Sequence, residues 1–404
     1  MRRMAAAMAV ITAVGTTVPA AARQAFRPLT VREYRDKMKA GWVGQMVGVS
    51  WGAPTEFRAR GWILAESEMP KWQPAMVNDA FGQDDLYVEM TFLRTLELHG
   101  LEVSRWQAGR DFAESRYGLA HANAAGRENL RRGIAPPDSG HPRYNAHADD
   151  IDYQIEADFS GLIAPGLPNV AIALGEKFGR LMNYGDGLYG GQFVGGMYAE
   201  AFLEKDPVKI VESGLRCLPP GSQYAEAIRD VLRWHRENPR DWQKTWALVN
   251  RKYQENPAYR RASCEKGAFD IDAKLNGAYV ALGLLYGERD PEKTITIAAR
   301  CGQDSDCNPS TAAGVLFTTI GFSNLPGRFT AELNQDTLFS HTAYNFAGVV
   351  EVCEQLARQV VARSAGKIAK DANGDDVFVI PVRAPKSSPL EQSWAPGPPA
   401  PGGR

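Results

Sequence analysis

The chain has 404 residues, 44% hydrophobic and 23% charged, a globular composition long enough for one large domain or two modest ones. Its 46 basic residues face 47 acidic ones, and nothing in the net charge of -1 argues for a nucleic-acid or membrane-surface partner, so a small-molecule or glycoside substrate is expected. Five cysteines, Cys217, Cys264, Cys301, Cys307 and Cys353, with no CxxC pair among them, argue against a disulfide scaffold or a structural zinc site and read mostly as buried small hydrophobes.

Arg2 and Arg3 precede an apolar stretch from Met4 to Val18, and Ala20-Ala21-Ala22 offers small residues for a cleavage site. Residues 1–22 read as a secretory signal peptide, which places the mature protein in a periplasm or outside the cell, with a disordered or mitochondrial-type leader as the alternative. No later stretch reaches the ~18 apolar residues of a membrane-spanning helix.

Thr30-Val31-Arg32-Glu33 is a capping box, a hydroxyl followed three residues on by a carboxylate, and predicts a helix from there through Met38 and Trp42. Gly41, Gly44, Gly48 and Gly52 then recur every three or four residues on one face, as a packing seam or the floor of a site. A second helix is expected from about Asp85 to Leu98, stopped by His99-Gly100. Further helices are expected over Trp106 to Tyr117, Asn169 to Tyr184, Gly191 to Glu204, Tyr224 to Glu237, Trp242 to Gln254, Gly277 to Tyr286 and Pro291 to Cys301. Strand-like residues gather only at Val377-Phe378-Val379-Ile380. The fold class is therefore all-α, a helical domain over residues 23–365, followed by an extension over 366–404 with a short extended segment. Gly133 to Ala146, rich in Pro, Gly and His, reads as a loop near the site, and the Pro- and Gly-crowded tail from Ala384 as disordered.

Two acidic pairs carry the chemistry. In Gly302-Gln303-Asp304-Ser305-Asp306-Cys307-Asn308-Pro309, Asn308 suits an N-cap and Pro309 a first helical position, so a helix is expected from Pro309 to Ile320 with Asp304 and Asp306 in the preceding turn. Carboxylates two residues apart converge in such a turn, as a hard cation requires. Asp84-Asp85 repeats the arrangement after Gln83. Each pair alone is equally what a helix start offers to its dipole. A third acidic run, His147-Ala-Asp149-Asp150-Ile-Asp152-Tyr-Gln-Ile-Glu156-Ala-Asp158, reads either as a solvated helix face or as a source of substrate-binding or acid groups from Asp149, Asp150 and Asp152. Asp186, in Tyr184-Gly-Asp186-Gly-Leu-Tyr189-Gly-Gly, is a candidate substrate contact or part of a simple interhelical turn. Trp51, Trp62 and Trp72 suit either sugar stacking or the core.

The segment Gly41-Trp-Val-Gly44-Gln-Met-Val-Gly48-Val-Ser-Trp-Gly52-Ala-Pro54-Thr-Glu56 resembles the opening signature of ADP-ribosylglycohydrolases. Gln83-Asp84-Asp85 sits where that family has a threonine and two aspartates, and Gly302 to Asn308 resembles its late glycine-aspartate-threonine-aspartate-threonine motif. The resemblance implies an orthogonal multi-helix bundle with a centre of one or two Mg2+ ions. By the same resemblance Asp84, Asp85, Asp304 and Asp306, with Gln83, are metal ligands, and Glu56 and Asp85 are the catalytic carboxylates. Gln83 and Cys307 replace hydroxyl residues of the family, Val49 an aspartate, and Tyr184 a histidine. The implied reaction is hydrolysis of an N- or O-glycosidic bond to ribose or a related sugar. A metal-independent glycoside hydrolase on the same scaffold, and a non-catalytic binder of a ribosyl or sugar ligand, are the competing readings.

Overall fold

The computed structural model describes residues 24–261 and 271–400. The proposed signal peptide therefore lies outside the described residues, as does Cys264.

The chain enters through strand β1 (Phe26–Thr30) and turns at once into α1 (Val31–Gly52), where the Thr30 hydroxyl accepts from the Glu33 amide as the capping box requires. The helices that follow are α2 (Asp84–His99), α3 (Arg105–Glu114), α4 (His121–Arg131), the short α5 (Asp152–Ile155) and α6 (Asp158–Leu162), and α7 (Pro168–Phe178). Next come α8 (Asp186–Ala201), α9 (Pro207–Arg216), α10 (Gln223–Glu237) and α11 (Trp242–Val249). The last are α12 (Ala273–Tyr286), α13 (Pro291–Arg300), α14 (Cys307–Ile320) and α15 (Phe346–Arg363). Strands β2 (Lys367–Lys370) and β3 (Asp376–Pro381) complete a small antiparallel sheet in the order β1-β3-β2, with Pro28 opposite Val379 and Ile368 opposite Phe378. The fold is all-α, with the sheet as an appendage. Among the described residues no helix is long and apolar enough to cross a membrane.

The glycines of α1 form a seam against α14. A β-carbon on Gly44 would lie 2.4 Å from the Ala313 carbonyl oxygen, one on Gly48 2.2 Å from that of Pro309, and one on Gly52 2.3 Å from that of Ser305. The two helices thus run antiparallel with backbones in contact, a spacing only glycine permits. Near Gly41 the contacts are the side chains of Leu162 and Thr318. The seam fixes the turn before α14 against the end of α1.

Several boundaries differ from the sequence expectation. Helix α8 begins at Asp186, not Gly191, so the glycine-rich stretch is helix and not turn. Gly187, Gly190 and Gly191 are small because Ala148, Gln154 and Tyr153 press on them. Helix α14 begins at Cys307 with Asp306 preceding it, two residues ahead of the expected start at Pro309. Helices α4, α9 and α15 were not anticipated. The tail from Ala384 has no regular secondary structure, as its prolines suggest, and it packs along the helical domain, with the Ala400 amide donating to Asp138 Oδ1 at 2.9 Å. Glu391 pairs with Arg180 at 2.5 Å, Ser393 donates to Asp149, and the Gly397 amide donates to the Tyr184 hydroxyl at 3.1 Å. Cys217, Cys301, Cys307 and Cys353 are free and buried.

Candidate metal centre and its acidic surroundings

The two acidic pairs meet. Asp84 and Asp85 occupy the first turn of α2, where the free amides of a helix start favour negative charge. Asp304 and Asp306 sit in the turn ahead of α14. That turn is held from three sides: the Asp304 amide donates to Asn276 Oδ1 at 3.3 Å, the Gln303 amide to the Ala59 carbonyl at 2.7 Å, and the Ser305 and Thr55 hydroxyls share a hydrogen bond of 2.9 Å. Asn308 Nδ2 donates to the same Asn276 oxygen at 2.8 Å. Gln303 itself has φ +63, a left-handed backbone that bends the turn so that both aspartates face inward.

Asp85, Asp304 and Asp306 are buried, while Asp84 is exposed at the rim. Burial, and then the charges of Asp84 and Asp306, push the Asp85 carboxyl well above the usual carboxylate range. Asp304 is pushed up in the same way, by burial and then by Asp306. No lysine or arginine among the described residues forms an ion pair with any of the four. Asp85 Oδ2 and Asp304 Oδ1 have no hydrogen-bond partner among the described residues. Uncompensated buried carboxylates with idle oxygens are the donor set of a hard divalent cation, so the residues fit one.

Cys307 lies inside this group. Its thiol donates to Asp85 Oδ1 at 3.0 Å and is 3.8 Å from Asp306 Oδ1, and burial and then the surrounding carboxylates hold its pKa well above the usual thiol value. It is therefore a protonated donor, packed on its other side against Ile151, Ile155, Ile271 and Phe57. Gln83 precedes α2 with extended backbone, and its side chain forms no cap. Glu56 is exposed, directly beside the turn: its neighbours Thr55 and Phe57 bond to Ser305 and Gln303. Val49 is wholly buried in α1.

The acidic run after His147 is not a solvated face. Asp149, Asp150, Asp152, Glu156 and Asp158 are all buried. Glu156 is the residue the sequence reading underrated. It accepts from Asn123 Nδ2, Oε2 has no hydrogen-bond partner among the described residues, and burial, Asp152, Asp84 and Asp85 together raise its pKa well above the ordinary value. It thus stands within electrostatic reach of the acidic pair of α2. Asp152 accepts the amides of Ala122 and Asn123 at 3.3 and 3.0 Å, which ties the start of α4 to this run, and burial raises its pKa to about 7.

Asp149 and Asp186 are drawn into a different group. Asp186 accepts the Tyr224 amide at 3.2 Å, and its pKa is pushed to about 6 by burial against the pull of Lys274. Lys274, itself buried, pairs with Asp272 at 2.6 Å, and Asp149 accepts from Ser393 of the tail. The tryptophans divide: Trp51 packs on Trp72 with centroids 5.3 Å apart and donates to the Pro70 carbonyl at 2.8 Å, whereas Trp62 is exposed.

A family model described as ADP-ribosylglycohydrolase matches residues 30–368. The chain belongs to that family, and its fold is the family's all-α fold. No curated protein matches the chain in sequence comparison. Among solved structures it is similar to one described as an ADP-ribosylglycohydrolase-related protein complex, at 15% identity and a TM-score of 0.48, with 81% of this chain and 99% of that chain covered.

Proposed function

We propose that the protein is an exported, Mg2+-dependent hydrolase of a glycosidic bond to ribose or a related sugar. Family membership supports a glycohydrolase on this fold. The observation that carries the metal is the meeting of Asp84, Asp85, Asp304 and Asp306 without a lysine or arginine partner among the described residues, with Asp85 Oδ2 and Asp304 Oδ1 idle. These four carboxylates would hold one or two ions. When bound, the cation supplies Lewis-acid stabilisation of charge on the sugar oxygens.

The chain's own groups divide the proton work. Glu56, open to solvent beside the aspartate turn, accepts a proton from the water that attacks the anomeric carbon. Glu156, buried and with its carboxyl pushed up by burial and then by Asp152, serves as the proton donor to the departing group. The Cys307 thiol fixes one oxygen of Asp85 and leaves the other for the ion. Hydrolysis of an N- or O-ribosyl bond needs these two transfers and no other cofactor.

The test is metal analysis of the purified protein, coupled to a panel of ribosides and glycosides with and without EDTA. Turnover of at least one ribosyl compound is expected, abolished by EDTA, restored by Mg2+ and reduced about a thousandfold in Asp304→Ala, a barrier increase of about 4 kcal/mol. An enzyme indifferent to both EDTA and that substitution would sink the metal-dependent reading.

A further inference from the structure

Outside the four-carboxylate centre, two imidazoles from separate segments converge on one buried carboxylate. His121 opens α4, His147 ends the loop that follows it, and a ring nitrogen of each lies within 4.8 Å of the other and of an Asp150 oxygen. His147 Nδ1 is 2.6 Å and His121 Nδ1 4.0 Å from Asp150 Oδ2, and the ring centroids are 5.6 Å apart at 68°. We propose that His121, His147 and Asp150 form a second metal site, for a borderline cation of the Zn2+ type, at the rim of the candidate active site.

The spacing supports this. Ligand atoms about 2.1 Å from a tetrahedral ion stand about 3.4 Å from one another. Opening one Asp150–histidine distance and closing the other, each by less than about 1 Å, and drawing the two ring nitrogens together from within 4.8 Å reaches that arrangement. The anchors are firm where they need to be. Asp150 is wholly buried, its amide donates to the His147 carbonyl at 2.9 Å, and its carbonyl accepts from Asn183 Nδ2 at 2.9 Å. Asp152, two residues on, grips the amides just after His121 and so brings the first turn of α4 against this loop. His121 has φ +44, a backbone conformation that a histidine adopts rarely and that the clamp maintains.

Donor chemistry separates the two centres. Four carboxylates suit Mg2+, whereas two imidazoles and one carboxylate suit Zn2+, Co2+ or Ni2+. Both histidines are partly exposed, and three protein ligands are the number found in zinc sites that exchange a water for another ligand. The site also borders the first centre: His121 lies within electrostatic reach of Asp84, the exposed carboxylate at its rim.

Equilibrium dialysis of the metal-stripped full chain against Zn2+ at pH 7.5, in the presence of excess Mg2+, tests the site. One equivalent of Zn2+ should bind to the wild type and equally to Asp304→Asn, and His121→Ala and His147→Ala should each weaken it at least tenfold while the Mg2+-induced rise in melting temperature persists. Co2+ added to the wild type should give the intense visible bands of a four-coordinate site with nitrogen donors, a readout that depends on no variant. Zn2+ binding that survives both histidine substitutions, or that is lost in Asp304→Asn, or Co2+ spectra of a six-coordinate oxygen site, overturns the proposal.

Discussion

Two groups of buried carboxylates sit in this protein, and they solve the same electrostatic problem differently. In the group of Asp149, Asp186 and Asp272, the cation is built in: Lys274, buried with them, pairs with Asp272 at 2.6 Å, the Tyr224 amide donates to Asp186 and the Ser393 hydroxyl to Asp149, though Asp186 Oδ2 has no hydrogen-bond partner among the described residues. In the group of Asp84, Asp85, Asp304 and Asp306 no lysine or arginine among the described residues plays that part, and Asp85 Oδ2 and Asp304 Oδ1 are idle as well. Burial alone thus does not mark a functional acid. What marks it is burial without internal compensation, which leaves the compensation to something that binds.

Opposite responses to substitution would sharpen this contrast. Lys274→Met should cost about 3–5 kcal/mol, because it strands the carboxylates around it, and added Mg2+ should not recover the loss in urea unfolding. A fully stable Lys274→Met protein would erase the distinction between the groups. Asp304→Asn should instead raise the melting temperature of the metal-free protein, by relief of about 1–3 kcal/mol of repulsion, and remove the further rise that Mg2+ gives the wild type. Destabilisation in the metal-free state would mean that the second group is compensated after all.

The pH dependence follows from raised carboxyl pKa values. Asp152 has a folded value of about 7 against about 3.9 in an unfolded chain. Its folded form holds a proton that the unfolded form has released, so its stabilising contribution is complete below about pH 4 and is lost as pH rises to about 7 and beyond. Metal-free protein should therefore melt lower at pH 8 than at pH 5, by the equivalent of about 2–4 kcal/mol, and Asp152→Asn should flatten that slope. A slope unchanged in this variant would assign the effect elsewhere.

Two smaller effects probe the edges of the groups. Cys307→Thr offers a hard oxygen in place of a soft sulfur and should tighten Mg2+ about fivefold, read by calorimetry. Looser binding would show that the thiol's hydrogen bond to Asp85 matters more than its hardness. Ser393→Ala removes the tail's donor to Asp149 and should cost about 1 kcal/mol with turnover unchanged.

How much of this was legible in the sequence depended on whether the signal was local. The capping box at Thr30, Pro291 at the first position of α13 and the glycine spacing in α1 act through neighbours within a turn, and each was readable. Helix α15 was not, because its start, Phe346-Ala-Gly348-Val349-Val350, places a glycine and β-branched residues where helix formers are expected, and packing overrides them. The glycines at the start of α8 imitate a turn for the same reason: what they accommodate, Ala148 and Tyr153, is distant in sequence. In the candidate site, the meeting of the acidic pairs was readable only through motif order. The burial of Asp152 and Glu156 was not, since their donors, the α4 amides and Asn123, are about 30 residues away. His121 carried no signal at all until α4 was seen to abut the loop.

The glycine seam between α1 and α14 joins residues about 260 positions apart, Gly48 to Pro309. A chain emerging from a ribosome completes its first helix long before the surface that helix must meet exists. Loop closure over such a span is slow and entropically costly. The aspartate turn is therefore set among the last events of folding, and a partly folded chain has no centre able to seize a stray cation. Mg2+ binding, followed during refolding, should appear only with the final kinetic phase.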